Sequence, residues 1–190
     1  MSDDLYIGPT TLAPGPREPS GAGEGLARLI IIPLFVLFVL IILVFFVFFT
    51  PVRVDGPSMV PTLLSEDRVL ITRGAKDVQR GDVVVLVADD RGQEVELVKR
   101  VIGLPGDVVE VRGNAAYVNG VREPDRGQVS LGSESPFRRP VTVGTGQLFV
   151  MGDNRELSED SRYIGTVPIS GIKGTVVAVF APINRVRRVD

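Results

Sequence analysis

The chain has 190 residues, a formal net charge of −2, and neither cysteine nor histidine. That length allows one domain with a proper core, and the near-neutral charge offers no basic field for a nucleic-acid partner. The missing residue types exclude a disulfide framework, a thiol nucleophile, a Ser-His-Asp triad and nearly all zinc sites, so any general base must be Lys, Asp, Glu or Tyr.

Residues 1–25 are rich in Pro, Gly and acid (Pro9, Pro14, Pro16, Pro19, Gly21, Gly23, Gly25) and repeat no apolar period. A disordered tail is expected there. Residues 29–49 carry no charge; at about 1.5 Å per residue they reach about 30 Å, the thickness of a bilayer's hydrocarbon core. A transmembrane helix is therefore expected over 26–50, with Pro33 in its first turns, where proline is tolerated best. A cleaved signal peptide would have a shorter apolar region, about 7–15 residues, followed by a small-x-small site. Thr50-Pro51-Val52-Arg53 follows instead, which favours a retained anchor. Arg17 and Arg28 before the span and Arg53 and Arg68 after it leave the orientation nearly undecided by charge.

From Val52 onward the period changes to that of strands. Short Val- and Ile-rich runs occupy 68–72, 82–87, 94–102, 108–111, 147–151 and 175–180, separated by Gly, Pro, Asp and Asn. Asn119-Gly120 between Tyr117-Val118 and Val121 is a two-residue hairpin signal. No long amphipathic helix follows residue 50. The expected fold class is mainly β, an antiparallel β-sheet domain over 51–182 behind one N-terminal transmembrane helix. Residues 183–190, with Arg185, Arg187 and Arg188, read as a short, solvated basic tail.

Three places could carry chemistry. In a strand over 94–102, Val95, Leu97, Lys99 and Val101 share one face, so a single ammonium falls among apolar side chains. Burial disfavours the charged form, and a neutral lysine is one of the few general bases open to a chain without histidine. The alternative is a lysine at the sheet margin that snorkels to water. The second place is Ser58, held between Pro57 and Pro61 and preceded by Gly56. The prolines restrict the backbone on both sides of the serine, and chain length keeps Ser58 within about 30 Å of the end of the span. An ordinary turn after an anchor is the alternative. The third is the polar loop of residues 152–165, dense in Asp153, Asn154, Arg155, Ser158, Asp160, Ser161 and Arg162. It can form a charge-assisted network around a site or a surface ion-pair loop.

GPSMVPTL, RGDVVVL, VKRVIGLPGD and GDNRELSEDSRYIG occur in this order. They resemble the successive sequence boxes of bacterial type I signal peptidases, over about residues 29–180. The resemblance implies Ser58 as nucleophile, followed by Met59, and Lys99 as general base. It implies Ser158 as the hydroxyl that orients the lysine, and Asp160, Arg162, Asp153, Asn154 and Arg155 as the polar scaffold. Some members have a serine two residues before the nucleophile whose hydroxyl serves the oxyanion hole; Gly56 stands there in this chain. The backbone N–H of Ser58 then carries more of that stabilisation. The implied activity is a membrane-bound serine endopeptidase that cuts exported preproteins after small residues in an A-x-A pattern, without metal or cofactor. The implied setting is a single-pass membrane protein with a cytoplasmic N-terminus and an extracytoplasmic catalytic domain. Its partners would be preproteins, the lipid bilayer and the nearby secretion machinery, with no nucleic acid. Two rivals are a self-cleaving Ser/Lys protease and a non-enzymatic, membrane-tethered β-domain. The last predicts Ser58 and Lys99 far apart.

Overall fold

The computed structural model describes residues 15, 22–74, 77–90, 92–129 and 139–189. The expected tail over 1–25 lies outside these residues except for Gly15 and 22–25. The chain divides into two compact units, 1–44 and 45–190. The first is dominated by helix α1, Ala22–Phe48, which begins inside the segment expected to be tail and contains Pro33. Within it Arg28–Phe48 is long and apolar enough to cross a membrane, and none of that stretch is buried. A helix that is apolar all round needs an apolar solvent or partner, and its 21 residues fit a bilayer core.

The second unit is mostly β. In chain order its strands are β1 Phe49–Arg53, β2 Arg68–Arg73, β3 Val83–Asp90, β4 Gln93–Gly103, β5 Val108–Arg112, β6 Ala115–Val118, β7 Val121–Arg122, β8 Val141–Thr142, β9 Gln147–Met151, β10 Val167–Pro168, β11 Ile172–Ala181 and β12 Arg187–Arg188. A four-residue helix, α2, covers Ser161–Ile164. The larger sheet runs β1-β2-β11-β3-β4-β9-β10, with β12 beside β11; the smaller runs β7-β6-β5-β8, and every pairing between these strands is antiparallel. The mainly β, antiparallel fold class is thus what the period-2 runs and their turn residues foretold. Asn119 and Gly120 both take positive φ and join β6 to β7 in a two-residue hairpin.

At β3 the larger sheet is buried on both faces. Val83 and Val85 of β3 point into a cluster with Val54, Met59, Leu63, Val69, Ile71, Val176 and Val179. Val84, Leu86 and Ala88 point the other way, against Val101, Leu148, Val150, Val167 and Ile172. That is why β3 reads as a continuous Val/Leu/Ala run rather than an alternating one. On β9, Leu148 and Val150 join the second cluster, while Phe149 and Met151 join a third with Ile102, Val109, Val111, Ala116 and Val143. This third cluster ties the smaller sheet to the larger one.

β4 sits between β3 and β9, but unequally. β3 pairs with it from Gln93 to Arg100, whereas β9 meets it only at Arg100, Val101 and Gly103. Along residues 93–99 the other edge of β4 has no strand partner among the described residues.

Candidate active site

Ser58 lies in a turn that the core pins down. Val60 N–H donates to the Pro57 carbonyl and Leu63 N–H to the Met59 carbonyl, so 57–63 curls on itself. Met59 and Leu63 are buried in the first cluster and hold that curl to β2, β3 and β11. Ser58 itself stays half-buried, and its carbonyl accepts a 3.0 Å hydrogen bond from the Asn154 N–H. Gly56 has φ +84, a left-handed conformation in which a serine would be strained. The absence of the side-chain donor found in some relatives of the motif therefore goes with the local backbone.

Lys99 faces the same side of β4 as Leu97 and Val101, as the alternation requires, and is 3% exposed. Its Nζ lies 2.9 Å from the Ser58 Oγ. Burial pushes the Lys99 amine down to about 8; Asp160 and Glu159 pull it back up, and Arg162 lowers it further. No ion pair to Lys99 is present among the described residues, so desolvation wins. The snorkelling alternative does not hold: this side chain goes inward.

The polar loop surrounds the pair. Asp160 caps α2, accepting from Arg162 N–H, and its carboxylate also receives the Arg162 guanidinium at 2.8 and 2.9 Å and the Gly152 N–H at 3.0 Å. Arg155 donates to the Gly152 carbonyl, to the Asn114 carbonyl and to both Glu123 oxygens. Asn154 gives its N–H to Ser58 and accepts from Leu157 N–H through its side chain. Asp153 receives both forks of Arg100 at 2.9 and 2.7 Å and the Thr62 hydroxyl. The loop is therefore a buried network, not a surface ion-pair loop: Asp153, Arg155, Asp160 and Arg162 are all buried.

Ser158 departs from its expected contact. Its hydroxyl is buried and has no hydrogen-bond partner among the described residues, so it does not bond Lys99 in this structure. It packs instead over Gly152. A Cβ at Gly152 would collide with both the Ser158 Oγ and the Ser58 carbonyl oxygen. The missing side chain thus lets Ser158 and the Ser58 main chain close on the strand end from two sides. Among the described residues no group of three or more carboxylates is arranged to hold a metal ion.

The family model for signal peptidase, peptidase S26, matches residues 27–181. The chain belongs to that family. Signal peptidase I of Bacillus licheniformis is 38% identical, with 74% of this chain and 81% of that protein covered. Signal peptidase I S of Bacillus subtilis (strain 168) is 40% identical, with the same shares of 74% and 81%. A crystal structure of a signal peptidase I from Enterococcus faecalis V583 is 32% identical and aligns with 53% of this chain and 97% of its own, at a TM-score of 0.44. The resemblance carried by the four sequence boxes is thus to the family whose model matches residues 27–181.

For this signal peptidase family member, sequence reasoning leaves out several residues that hold the site. Arg100 is the foremost: strand alternation places it on the face with Glu94, Glu96, Val98 and Ile102, and it is 1% exposed and bonded to Asp153, to the Gly81 carbonyl and to Thr62. An arginine inside a Val/Ile run, with an Asp-rich loop elsewhere, is the signal that could have found it. Thr62, Gly152, Asn114 and Glu123 are also left out, because their partners lie 91, 41 and 32 residues away or are main-chain atoms.

Proposed function

We propose that this chain is a membrane-anchored serine endopeptidase that removes signal peptides from exported preproteins, with Ser58 as nucleophile and Lys99 as general base. One observation carries the reading: a buried amine, its proton affinity lowered to about 8, lies 2.9 Å from a serine hydroxyl on a constrained turn. A binding module has no use for that pair, and the non-enzymatic reading needs the two residues apart.

The chemistry follows from the geometry. Neutral Lys99 takes the proton of the Ser58 hydroxyl as Oγ attacks the scissile carbonyl. The ammonium so formed gives its proton to the leaving amine, and an acyl-enzyme remains. Water, deprotonated by the same amine, releases the acid and regenerates Ser58. Developing negative charge on the carbonyl oxygen is met by the Ser58 N–H, with Gly56 supplying no side-chain donor. A lysine ammonium has three N–H donors. In this reading the buried Ser158 hydroxyl, which has no hydrogen-bond partner among the described residues, would accept one of them once Ser58 has lost its proton. An extended substrate would pair with the edge of β4 over residues 93–99, which has no strand partner among the described residues, adding a strand whose alternate side chains meet the Val95 and Leu97 face. Two small side chains in an A-x-A pattern suit this placement. The α1 helix would hold the domain to the bilayer from which the substrate's apolar segment emerges, with the N-terminus cytoplasmic, the β-unit outside and the secretion machinery nearby.

The test is cleavage of an A-x-A preprotein by the purified chain beside folded Ser58→Ala and Lys99→Ala. Cutting at that site by the parent alone is expected. Full activity in Lys99→Ala would move the base to a carboxylate, and a folded parent that cuts nothing would remove the peptidase reading.

A further inference from the structure

The basic C-terminal residues, read from sequence as a solvated tail, are fastened to the domain. After β11 a single turn, Ile183–Arg185, reverses the chain, and β12 pairs back on β11 with Val179 opposite Arg187 and Ala178 opposite Arg188. Val189 N–H donates to the Val177 carbonyl. Little apolar area holds this strap in place: Ile183 is 88% exposed and Val186 is exposed as well. Its side-chain anchors converge on one target, the segment that follows Ser58.

Three separate contacts make that connection. Arg185 presents its fork to both oxygens of Asp67 at 2.8 and 2.9 Å, and Asp67 is 1% exposed. Arg187 donates to the main-chain carbonyl of Thr62. Val189 is buried in the cluster that contains Met59 and Leu63, the apolar residues of the Ser58 turn. Asp67 also accepts the Leu64 N–H and so closes the far end of the same segment. Burial raises the Asp67 carboxyl, but the Arg185 and Leu64 hydrogen bonds outweigh it and hold the group below the usual carboxylate range. On its other side the segment meets the polar loop, through Asn154 N–H to Ser58 and the Thr62 hydroxyl to Asp153.

We propose that residues 182–189 act as a positioning strap for Ser58, with Arg185 and Arg187 as positioning residues that press the 58–67 segment against β4 so that Oγ meets the Lys99 amine. This inference rests on Ser58 being the nucleophile. The strap touches no reacting atom. Its contribution is to narrow the positions open to a half-buried hydroxyl, and displacement of a reacting group by about 1 Å costs up to about 100-fold in rate.

Removing Arg185 alone would leave Asp67 buried and unpaired and so confound folding with positioning. The decisive variant is therefore Asp67→Asn with Arg185→Met in the full chain, assayed on an A-x-A preprotein. The amide that replaces the carboxylate can still accept from Leu64 N–H, while the tether is gone and no charge is stranded. The expected result is a kcat about 10- to 100-fold lower, KM within about twofold of the parent and a melting temperature within a few degrees of it. Arg187→Ala should lower kcat about tenfold, and Arg187→Lys, which keeps a donor for the Thr62 carbonyl, should restore most of it. A parent-like kcat in the double variant, a change confined to KM, or a loss that only tracks the unfolded fraction would each overturn the strap. Ser58→Ala run alongside separates the two readings. An inert Ser58→Ala with a fully active strap variant removes the strap alone, whereas an active Ser58→Ala, or a folded parent that cuts nothing, removes the nucleophile assignment beneath it.

Discussion

Lys99 and Arg100 are neighbours on one strand, and the protein treats them oppositely. Both are almost wholly buried, at 3% and 1% exposure. Arg100 is met by a bidentate carboxylate, a main-chain carbonyl and a hydroxyl, so its charge is fully answered. Lys99 is met by one serine hydroxyl, with Asp160 and Glu159 acting only through their fields. The difference shows that burial of a cation has two outcomes, set by what faces it. A cation with a matched acceptor set becomes a strut that joins β4, the Ser58 turn and the polar loop. A cation without one is pushed toward its neutral form, the form that the proposed general base requires. Residue type fits each role, since guanidinium stays charged while an amine can release its proton.

The comparison is broken most severely at Lys99. Lys99→Met should abolish cleavage, a loss of at least about 1,000-fold in kcat. It should also raise stability by up to about 3 kcal/mol near neutral pH, because it removes a cation held at about 8 against 10.5 for the ordinary group. The sign follows from the shift. The unfolded chain binds that proton more tightly between about 8 and 10.5, so the parent gains stability as pH rises through this window, and the Met variant should not. In the parent, kcat/KM should climb with pH to a plateau above about 8. A pH–rate profile flat from about 6 to 9, or a melting temperature that falls in Lys99→Met, would contradict the assignment.

Gly152→Ala comes next. The added methyl group would collide with Ser158 and the Ser58 carbonyl, displacing the Ser58 main chain, and about 100-fold in kcat should go with a modest loss of stability. Arg100→Met sharpens the other half of the contrast. It strands the Asp153 carboxylate and should cost about 3–5 kcal/mol in denaturant unfolding, while Arg100→Met with Asp153→Leu should recover most of that stability without recovering activity. The smallest effect belongs to Asp107, whose partner Arg80 is half exposed. Hydrogen bonds from Arg80 first, then from Leu104 N–H and Asn119, hold the Asp107 carboxyl at about 2 against the desolvation that raises it. Its stabilisation is complete above about pH 4 and disappears as pH falls toward about 2. Asp107→Asn should cost about 1–2 kcal/mol near neutral pH, almost nothing near pH ~2, and leave kcat unchanged.

How far the residues announce these roles depends on sequence range. The strands, the Asn119-Gly120 turn and the inward face of Lys99 follow from period and turn chemistry, which are local, and each is readable. The Ser58 turn is readable as a constrained turn, but its meeting with Lys99 requires the family boxes, since 41 residues separate the two. Arg100 is misplaced because alternation tells which face a side chain takes, not whether that face is wet. β4 buries both faces beyond Val98. The basic tail reads as solvated for a related reason. Composition registers three arginines, whereas the Asp67 that receives Arg185 lies 118 residues upstream. Ser158 is the reverse case: the family boxes imply a contact with the lysine, and the structure instead gives a buried hydroxyl with no partner among the described residues.

The edge of β4 over residues 93–99, which has no strand partner among the described residues, has a consequence for tolerance. Main-chain N–H and C=O groups are identical in nearly every residue, so a ladder built on residues 93–99 is blind to sequence. A strand laid on that edge would be selected only where an alternate side chain must fit against Val95 or Leu97. Its other positions would be left free to vary. The same blindness invites unwanted company, because a bare strand edge also templates aggregation. Glu94, exposed on this segment, sets a negative charge beside that edge, whereas the charge of Glu96 is answered by Lys173.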